Sequence, residues 1–381
     1  MKDRTPGIRR GLMDVIDPRD RLIAIRGGRG VGKTRFLLDF CGEHYPEDPA
    51  ALYVNISNLF LAREGLYSFI ERFYKLGGKV LLLDQLHEYP EWDEEIRAAY
   101  DRFTSVQFVF TISSLFNVET SAYLQGVARV YDLNGLSFRE FIELESGHHF
   151  PTFAFQQIIE SHEEIAREIA EQVRPLAYIR NYLHYGYYPL YLEKKSPTDY
   201  LLRNISQTLD FDIPYLNQID LKYLWKLKEL LYMVAIERYH NVNISKLSHG
   251  VGISRATVLN YLHYLKDARL LTLLFDREDD IENGLKPNQF YIHNPNLLRT
   301  ICLENASASA IRKSFFVSQV SAVARLNFAM NGDFLVDGIH EVSVHAEGDK
   351  VHPKDLTIQL VDMVERGSEK AIPLWLTGFL Y

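Results

Sequence analysis

The chain has 381 residues, with 42 Lys plus Arg against 50 Asp plus Glu and a formal net charge of −8. That length exceeds what one hydrophobic core usually serves, so more than one domain is expected. The acidic balance excludes wholesale coating of nucleic acid, although a local basic face stays open.

Apolar residues make up 47% and charged residues 24%, which is globular usage rather than disorder. The two cysteines, Cys41 and Cys302, lie far apart with no CxxC. That fits a reducing cytosol and argues against structural zinc. The opening MKDRTPGIRRGLMDVIDPRD is charged and lacks the apolar stretch of a signal peptide. No uncharged run approaches the ~20 residues of a membrane span. The expectation is a soluble cytoplasmic protein with no membrane role.

From residue 20 to about 135, apolar runs alternate with amphipathic segments. The runs are Leu22–Ile25, Ala51–Ile56, Val80–Leu83, Phe108–Ile112 and Val130–Leu133, with helical patterns at Leu66–Leu76 and Glu94–Phe103 between them. Five buried strands separated by helices predict a parallel sheet covered on both faces. After the first run comes GGRGVGKTR, Gly27, Gly28, Arg29, Gly30, Val31, Gly32, Lys33, Thr34 and Arg35. It fits GxxxxGK[ST] between a strand and a helix, the context that makes this pattern specific. The glycines let backbone N–H groups form a concave nest for phosphate oxygens, and the helix starting at Lys33 adds its positive end. Lys33 is expected at the β- and γ-phosphates of ATP and the Thr34 hydroxyl at Mg²⁺. The third run ends at Asp84, on the edge where parallel sheets hold ligands, and makes it the second magnesium residue. The fourth run ends in Thr111, Ser113 and Ser114, any of which can face the γ-phosphate or its attacking water.

Residues 151–240 carry Glu, Gln, Tyr and Leu at helical spacing, with breaks expected at Gly186–Pro189 and at Asp212-Ile213-Pro214. In residues 243–275 apolar positions at Leu247, Val251, Ile253, Val258, Leu262 and Leu265 predict two short packed helices turning at Gly252. Ser254 is placed to cap the second, and LLTLLF then reads as a strand, as in a winged helix. Arg255, Thr257 and Asn260 are the DNA-binding candidates, since polar residues at a helix N-terminus can reach phosphates and base edges. A protein-docking role is the other reading of the same helix. Beyond residue 300, DFLVDG, HEVSVHA, TIQLVDM and PLWLTGFLY read as short strands. Asp333, Glu341 and Gln359 follow the order of a metal-dependent nuclease core, where two carboxylates hold Mg²⁺ and a lysine activates water. The lysine position is Ser343, so that motif is incomplete, with Lys350 or Lys354 as stand-ins.

The glycine-rich loop, LLLD followed by YPEW, FTISSL, NGLSFREF (Asn134–Phe141) and the tail segments IHNPNLLRTI, RKSFFVSQV, GDFLVDG and IPLWLTGFLY resemble one family. It comprises the AAA-type ATPases of prokaryotes that carry a C-terminal domain of unknown function. The resemblance implies an ASCE-type parallel five-stranded sheet with the Ser113-Ser114 strand between those of the loop and Asp84. It also implies Ser114, with Ser113 second, as the residue that senses the γ-phosphate. The family places Glu after the Asp; here stands Gln85, whose amide positions water but is a very poor proton acceptor. Slow hydrolysis is therefore expected, since a lost general base costs ~10²–10⁴ in rate. Arg129 and Arg139 are considered as arginine fingers and neither is assigned. Sites of this class are often completed by a neighbouring subunit, so an oligomer stays open. The expected organisation is an α/β P-loop ATPase core over 1–150, a helical lid over 151–235, a winged helix over 236–300 and a small α/β nuclease-like domain over 301–381.

Overall fold

The computed structural model describes residues 9–190, 196–236, 243–277, 285–346, 349, 357–368 and 371–381. They form two compact units, Met1–Gly135 and Leu136–Tyr381. The first division thus falls after Gly135, and residues 136–150 pack within the second unit.

In the first unit, β1 (Leu22–Gly27), α1 (Lys33–His44), β2 (Ala51–Asn55), α2 (Leu59–Glu64), α3 (Leu66–Lys75), β3 (Val80–Asp84), α4 (Trp92–Arg102), β4 (Gln107–Ser113) and β5 (Arg129–Asp132) follow in order. The strands form one sheet in the order β2-β3-β4-β1-β5. Every pairing is parallel. As expected, β4 lies between β1 and β3. All five residues of β3 are buried, which is why the run Val80–Leu83 shows no polar alternation. Asp93, Glu94 and Glu95 occupy the first turn of α4, where carboxylates complement the helix dipole. Trp92 packs at 5.9 Å from Phe110 on β4 and seals one face of the sheet.

The second unit begins with α5 (Phe138–Ser146), α6 (Phe155–Gln172), α7 (Pro175–Asn181), α8 (Pro197–Gln207), α9 (Ile213–Asn217) and α10 (Leu224–Ile236). Ser137 and Glu140 form a reciprocal capping box that starts α5, which gives NGLSFREF a local physical reason. The breaks expected at Gly186–Pro189 and at 212–214 are not simple interruptions. Wide π-helical turns at Tyr182–Gly186 and Thr208–Asp212 carry the chain on, and Pro214 sits in the first turn of α9, where its missing N–H costs little. Next come α11 (Ile244–Val251), α12 (Arg255–Asp267), β6 (Leu271–Leu274), β7 (Gln289–Ile292), α13 (Pro295–Cys302) and α14 (Ala308–Val320). The final strands are β8 (Leu326–Asn327), β9 (Phe334–Val336), β10 (His340–His345), β11 (Ile358–Val361) and β12 (Ile372–Pro373), ordered β12-β11-β10-β9-β8. The closing PLWLTGFLY corrects the strand reading. After β12 it turns into a 3-10 helix, Leu374–Phe379, buried throughout. A short continuous apolar run looks alike in a buried strand and a buried helix.

A buried hydrogen-bond network centres on Tyr182. Its hydroxyl donates to the Leu136 carbonyl at 2.7 Å and accepts from Gln319 Nε2 at 2.8 Å, while Gln319 Oε1 accepts from the Phe138 amide at 3.0 Å. Nearby, His293 contacts Thr272 Oγ1 at 3.0 Å and the Tyr187 hydroxyl at 3.4 Å. Burial, and after it the charge of Arg269, pushes His293 down to about 3. Its folded-state value is depressed, so its contribution to stability is complete above ~6.5 and is lost as pH falls toward 3. His293→Gln is expected to remove roughly 3 kcal/mol of the acid-induced loss between pH 6.5 and 4. Urea titrations of both proteins across that range measure it, and parallel curves would contradict it.

Candidate functional site

The carboxyl ends of the parallel strands bring the glycine loop, Asp84 and the β4 end together. Gly30 and Gly32 have φ of 89° and 96°, the left-handed region that side chains resist, and Gly32 is the residue before α1. Gly27 is required for another reason. A Cβ there would stand 2.5 Å from the Leu133 carbonyl oxygen, so it lets β1 and the exit of β5 approach. Lys33 Nζ donates to the Gly27 and Gly28 carbonyls at 2.8 and 2.9 Å, curled back over the loop. Arg10 is buried beneath it, donating to the Val31 carbonyl at 3.2 Å and to those of Asn134 and Gly135 at 2.8 and 2.9 Å.

Asp84 is fully buried and accepts from four side chains. Thr34 Oγ1 at 2.7 Å, the Tyr53 hydroxyl at 2.9 Å and Asn55 Nδ2 at 3.4 Å reach Oδ2, and Thr111 Oγ1 at 2.6 Å reaches Oδ1. Thr111 also accepts from the Gln85 amide at 2.8 Å, and Gln85 itself is left-handed at φ 60°. Of the three β4 candidates, Thr111 therefore braces the acid. Ser113 accepts from the Leu115 amide at 3.4 Å. Ser114 donates its backbone N–H to the Gly27 carbonyl at 3.1 Å, and its hydroxyl is buried with no hydrogen-bond partner. His87, three residues past Asp84, packs with its ring tilted against Phe116 at 5.2 Å between centroids, and its Nδ1 is buried without a partner. Burial, then the charges of Lys33 and Arg29, pushes His87 down to about 4, which leaves it neutral at pH 7.

Arg29 and Arg35 are exposed, and Arg35 pairs with Asp39 one turn along α1 at 2.8 Å. Arg129 lies at the exposed edge strand, 4.0 Å from Asp20. Arg139 is buried in the second unit on Glu143 and the carbonyls of Tyr381 and Phe150, a structural use. Sequence reading missed Tyr53, Asn55, His87 and Arg10. Only the alternation of Tyr53 and Asn55 on one face of β2 hinted at the first two.

The other candidates lie apart from this site. Helices α11 and α12 turn at Gly252, φ 71°, and Ser254 Oγ accepts from the Thr257 amide at 3.1 Å. Arg255 and Asn260 are exposed on α12, Thr257 is half-buried in the cap, and β6 pairs antiparallel with β7. Asp333 accepts from Lys313 of α14 and from the Val344 amide, and Glu341 accepts from the Asn331 side chain at 3.0 Å. Ser343 hydrogen-bonds Thr357 at 2.9 Å. Gln359 donates to the Thr357 carbonyl at 2.9 Å. Among the described residues no three His, Cys, Asp or Glu side chains stand close enough to hold a metal. Lys350 and Lys354 lie outside the described residues.

A phosphate-loop nest between strand and helix, with a braced acid on the same sheet edge, defines the first unit as a P-loop nucleotide-triphosphatase fold. Residues 19–142 match the family model of an AAA domain, so this unit is an AAA-type P-loop ATPase domain. Residues 176–298 match a domain of unknown function (DUF8612). Two uncharacterized proteins of Methanocaldococcus jannaschii, MJ1637 and MJ1544, are each 23% identical over 272 and 269 residues. The matched region covers 67% of this chain and 56% of each relative, so the chain spans about half of those proteins. Among solved structures, AMPPCP-bound DnaA from Aquifex aeolicus is 13% identical at TM-score 0.29, covering 71% of this chain and 88% of its own. C. elegans PCH-2 is 12% identical at TM-score 0.24, covering 68% and 63%. No helix among the described residues is long and apolar enough to cross a membrane.

Proposed function

We propose that the first unit binds Mg-ATP and acts as a slowly hydrolysing switch for the second. One observation carries this reading: Thr34 Oγ1 lies 2.7 Å from Asp84 beside the phosphate nest. Hydroxyl and carboxylate oxygens are the donor set that Mg²⁺ takes alongside phosphates, so these residues fit the ion. Magnesium would supply charge neutralisation between phosphate oxygens. Lys33 leaves two carbonyl acceptors for the β- and γ-phosphates, and loop amides from Gly28 to Thr34 cradle the chain. The Ser114 hydroxyl, buried and unpaired, meets a γ-phosphate oxygen. Gln85 orients the attacking water without accepting its proton.

Calorimetry with Mg-ATP tests this. Wild type is expected to bind, and Lys33→Ala to lose at least about 100-fold in affinity, because a charge-assisted contact with a polyphosphate is removed. An absence of heat with wild type would overturn the proposal.

For the second unit we read α11, α12 and the β6–β7 ribbon as a winged helix that docks DNA or a protein through Arg255, Thr257 and Asn260. The exposure of Arg255 and Asn260 favours that use. In the rival reading, a DNA-binding regulator or nuclease, the nucleotide is only structural. A nuclease role is the weaker part, because Lys313 already neutralises Asp333. A switch requires ATP and ADP to change partner affinity by different amounts.

A further inference from the structure

The elbow formed by the wide turn Thr208–Asp212, α9 and α10 lies within the second unit and carries an apolar outer face. Its inner face is already filled, with Leu209, Ile213 and Pro214 buried on one arm and Leu227, Leu230 and Leu231 on the other. An ion pair between Lys228 and Asp210 at 2.8 Å ties the arms together, and the Ile219 amide donates to the Pro214 carbonyl at 3.1 Å to close the bend. Phe211 and Tyr215 stand four residues apart on the first arm. Leu221 and Trp225 stand four apart on the second, across a 3-10 turn (Leu221–Tyr223) that leads into α10. Residues at that spacing are neighbours on a helix surface.

Phe211, Tyr215, Leu221 and Trp225 are 68%, 81%, 78% and 72% exposed, so packing in this chain's own core does not account for them. Scattered single apolar residues are ordinary on a surface, but a run of them on one elbow is not. Large aromatic side chains carry about 150–250 Å² each, so these four offer on the order of 600 Å². That is the upper end of what monomers leave in one patch, ~300–600 Å², and most of the roughly 800 Å² that each partner gives a stable interface. Charge then selects the occupant. Residues 208–232 hold three lysines against four carboxylates. All three lysines are engaged, Lys228 with Asp210, Lys222 with Asp220 at 3.0 Å and Lys226 with Glu229 at 3.2 Å. A nucleic acid or an anionic membrane calls for a cationic surplus, which this face lacks. A second copy of the chain meets instead a rim of both signs around an apolar, aromatic centre, as homodimer interfaces present.

We propose that this elbow is a self-complementary docking surface that pairs the chain with a second copy of itself. Tyr215 and Trp225 are its anchors, because large aromatic side chains near the middle of an interface carry most of its energy. In a two-fold pairing the same patch serves both copies, and each near-neutral rim faces its equal without repulsion. This pairing rests on neither nucleotide in the first unit nor DNA on α12.

Sedimentation equilibrium of the full chain without nucleotide, over about 1–100 μM, reads the pairing directly. Wild type is expected to dimerise within that range. Tyr215→Glu and Trp225→Glu, which set a carboxylate against its own copy, are each expected to weaken the dimer at least about tenfold. Leu76→Glu, at an 82% exposed apolar position of the first unit, is the control and is expected to leave it unchanged. Circular dichroism checks folding, and the two elbow variants back each other should one fail to fold. A monomer throughout the range overturns the proposal, as does a dimer that the elbow variants leave intact or that Leu76→Glu weakens equally. Flotation with phosphatidylserine-containing vesicles runs in parallel. A monomer that floats, and stops floating in both elbow variants, gives the face to lipid and overturns self-pairing.

Discussion

Gln85→Glu is expected to raise steady-state ATP turnover by about 10²–10⁴. The substitution keeps side-chain length and leaves the backbone undisturbed. Gln85 already holds φ 60°, and its amide is tied to Thr111 Oγ1, so both residues meet the same constraint. What changes is the terminal group, from an amide that orients water to a carboxylate that also takes its proton. Asp84 next to it would disfavour a second negative charge, which raises the basicity of the new carboxylate. A phosphate-release assay compares the two proteins at saturating Mg-ATP. Equal rates, with wild type already turning over like an ordinary ATPase, would show that Gln85 is not what limits hydrolysis.

Asp84→Asn should abolish the gain in ATP affinity that Mg²⁺ confers and lower turnover by at least about 100-fold, since charge stabilisation of this kind is commonly worth that much. The buried carboxylate gathers three hydroxyls and one amide, and Asn presents one acceptor and one donor to those groups. The hydroxyls can rotate to suit, so the fold is expected to persist. Calorimetry with and without EDTA reads the metal term, and circular dichroism reads the fold. Retention of the Mg²⁺-dependent gain would remove Asp84 from the metal site.

The first unit was legible because its signals are local. Apolar runs marked the strands, and the loop at residues 27–34 stood out by its glycine and Lys-Thr spacing between a strand and a helix. Asp84 followed from its place at a strand end. Its partners did not, because Tyr53 and Asn55 reach it only through the register in which Asn55 lies beside Asp84. Pairing between strands is a non-local property that no window of sequence displays. The same limit applies to Arg10, which meets residues 134 and 135 from the other end of the domain. In the second unit the signals were weaker. Proline and glycine marked the wide turns but suggested breaks, and the buried tail carried no periodicity to separate strand from helix. Tyr187 and Tyr188 offered only aromatic bulk, yet the Tyr187 backbone exchanges hydrogen bonds with Asn296 and Leu136, and the Tyr188 hydroxyl accepts from Asn294.

The single guanidinium of Arg10 grips the backbone at residue 31 and again at residues 134 and 135. Any ligand that tugs the peptide at position 31 thus pulls on the same rigid plane that holds the chain where it leaves its sheet. Only the two C–N bonds of one guanidinium separate the two grips, with no helix between them.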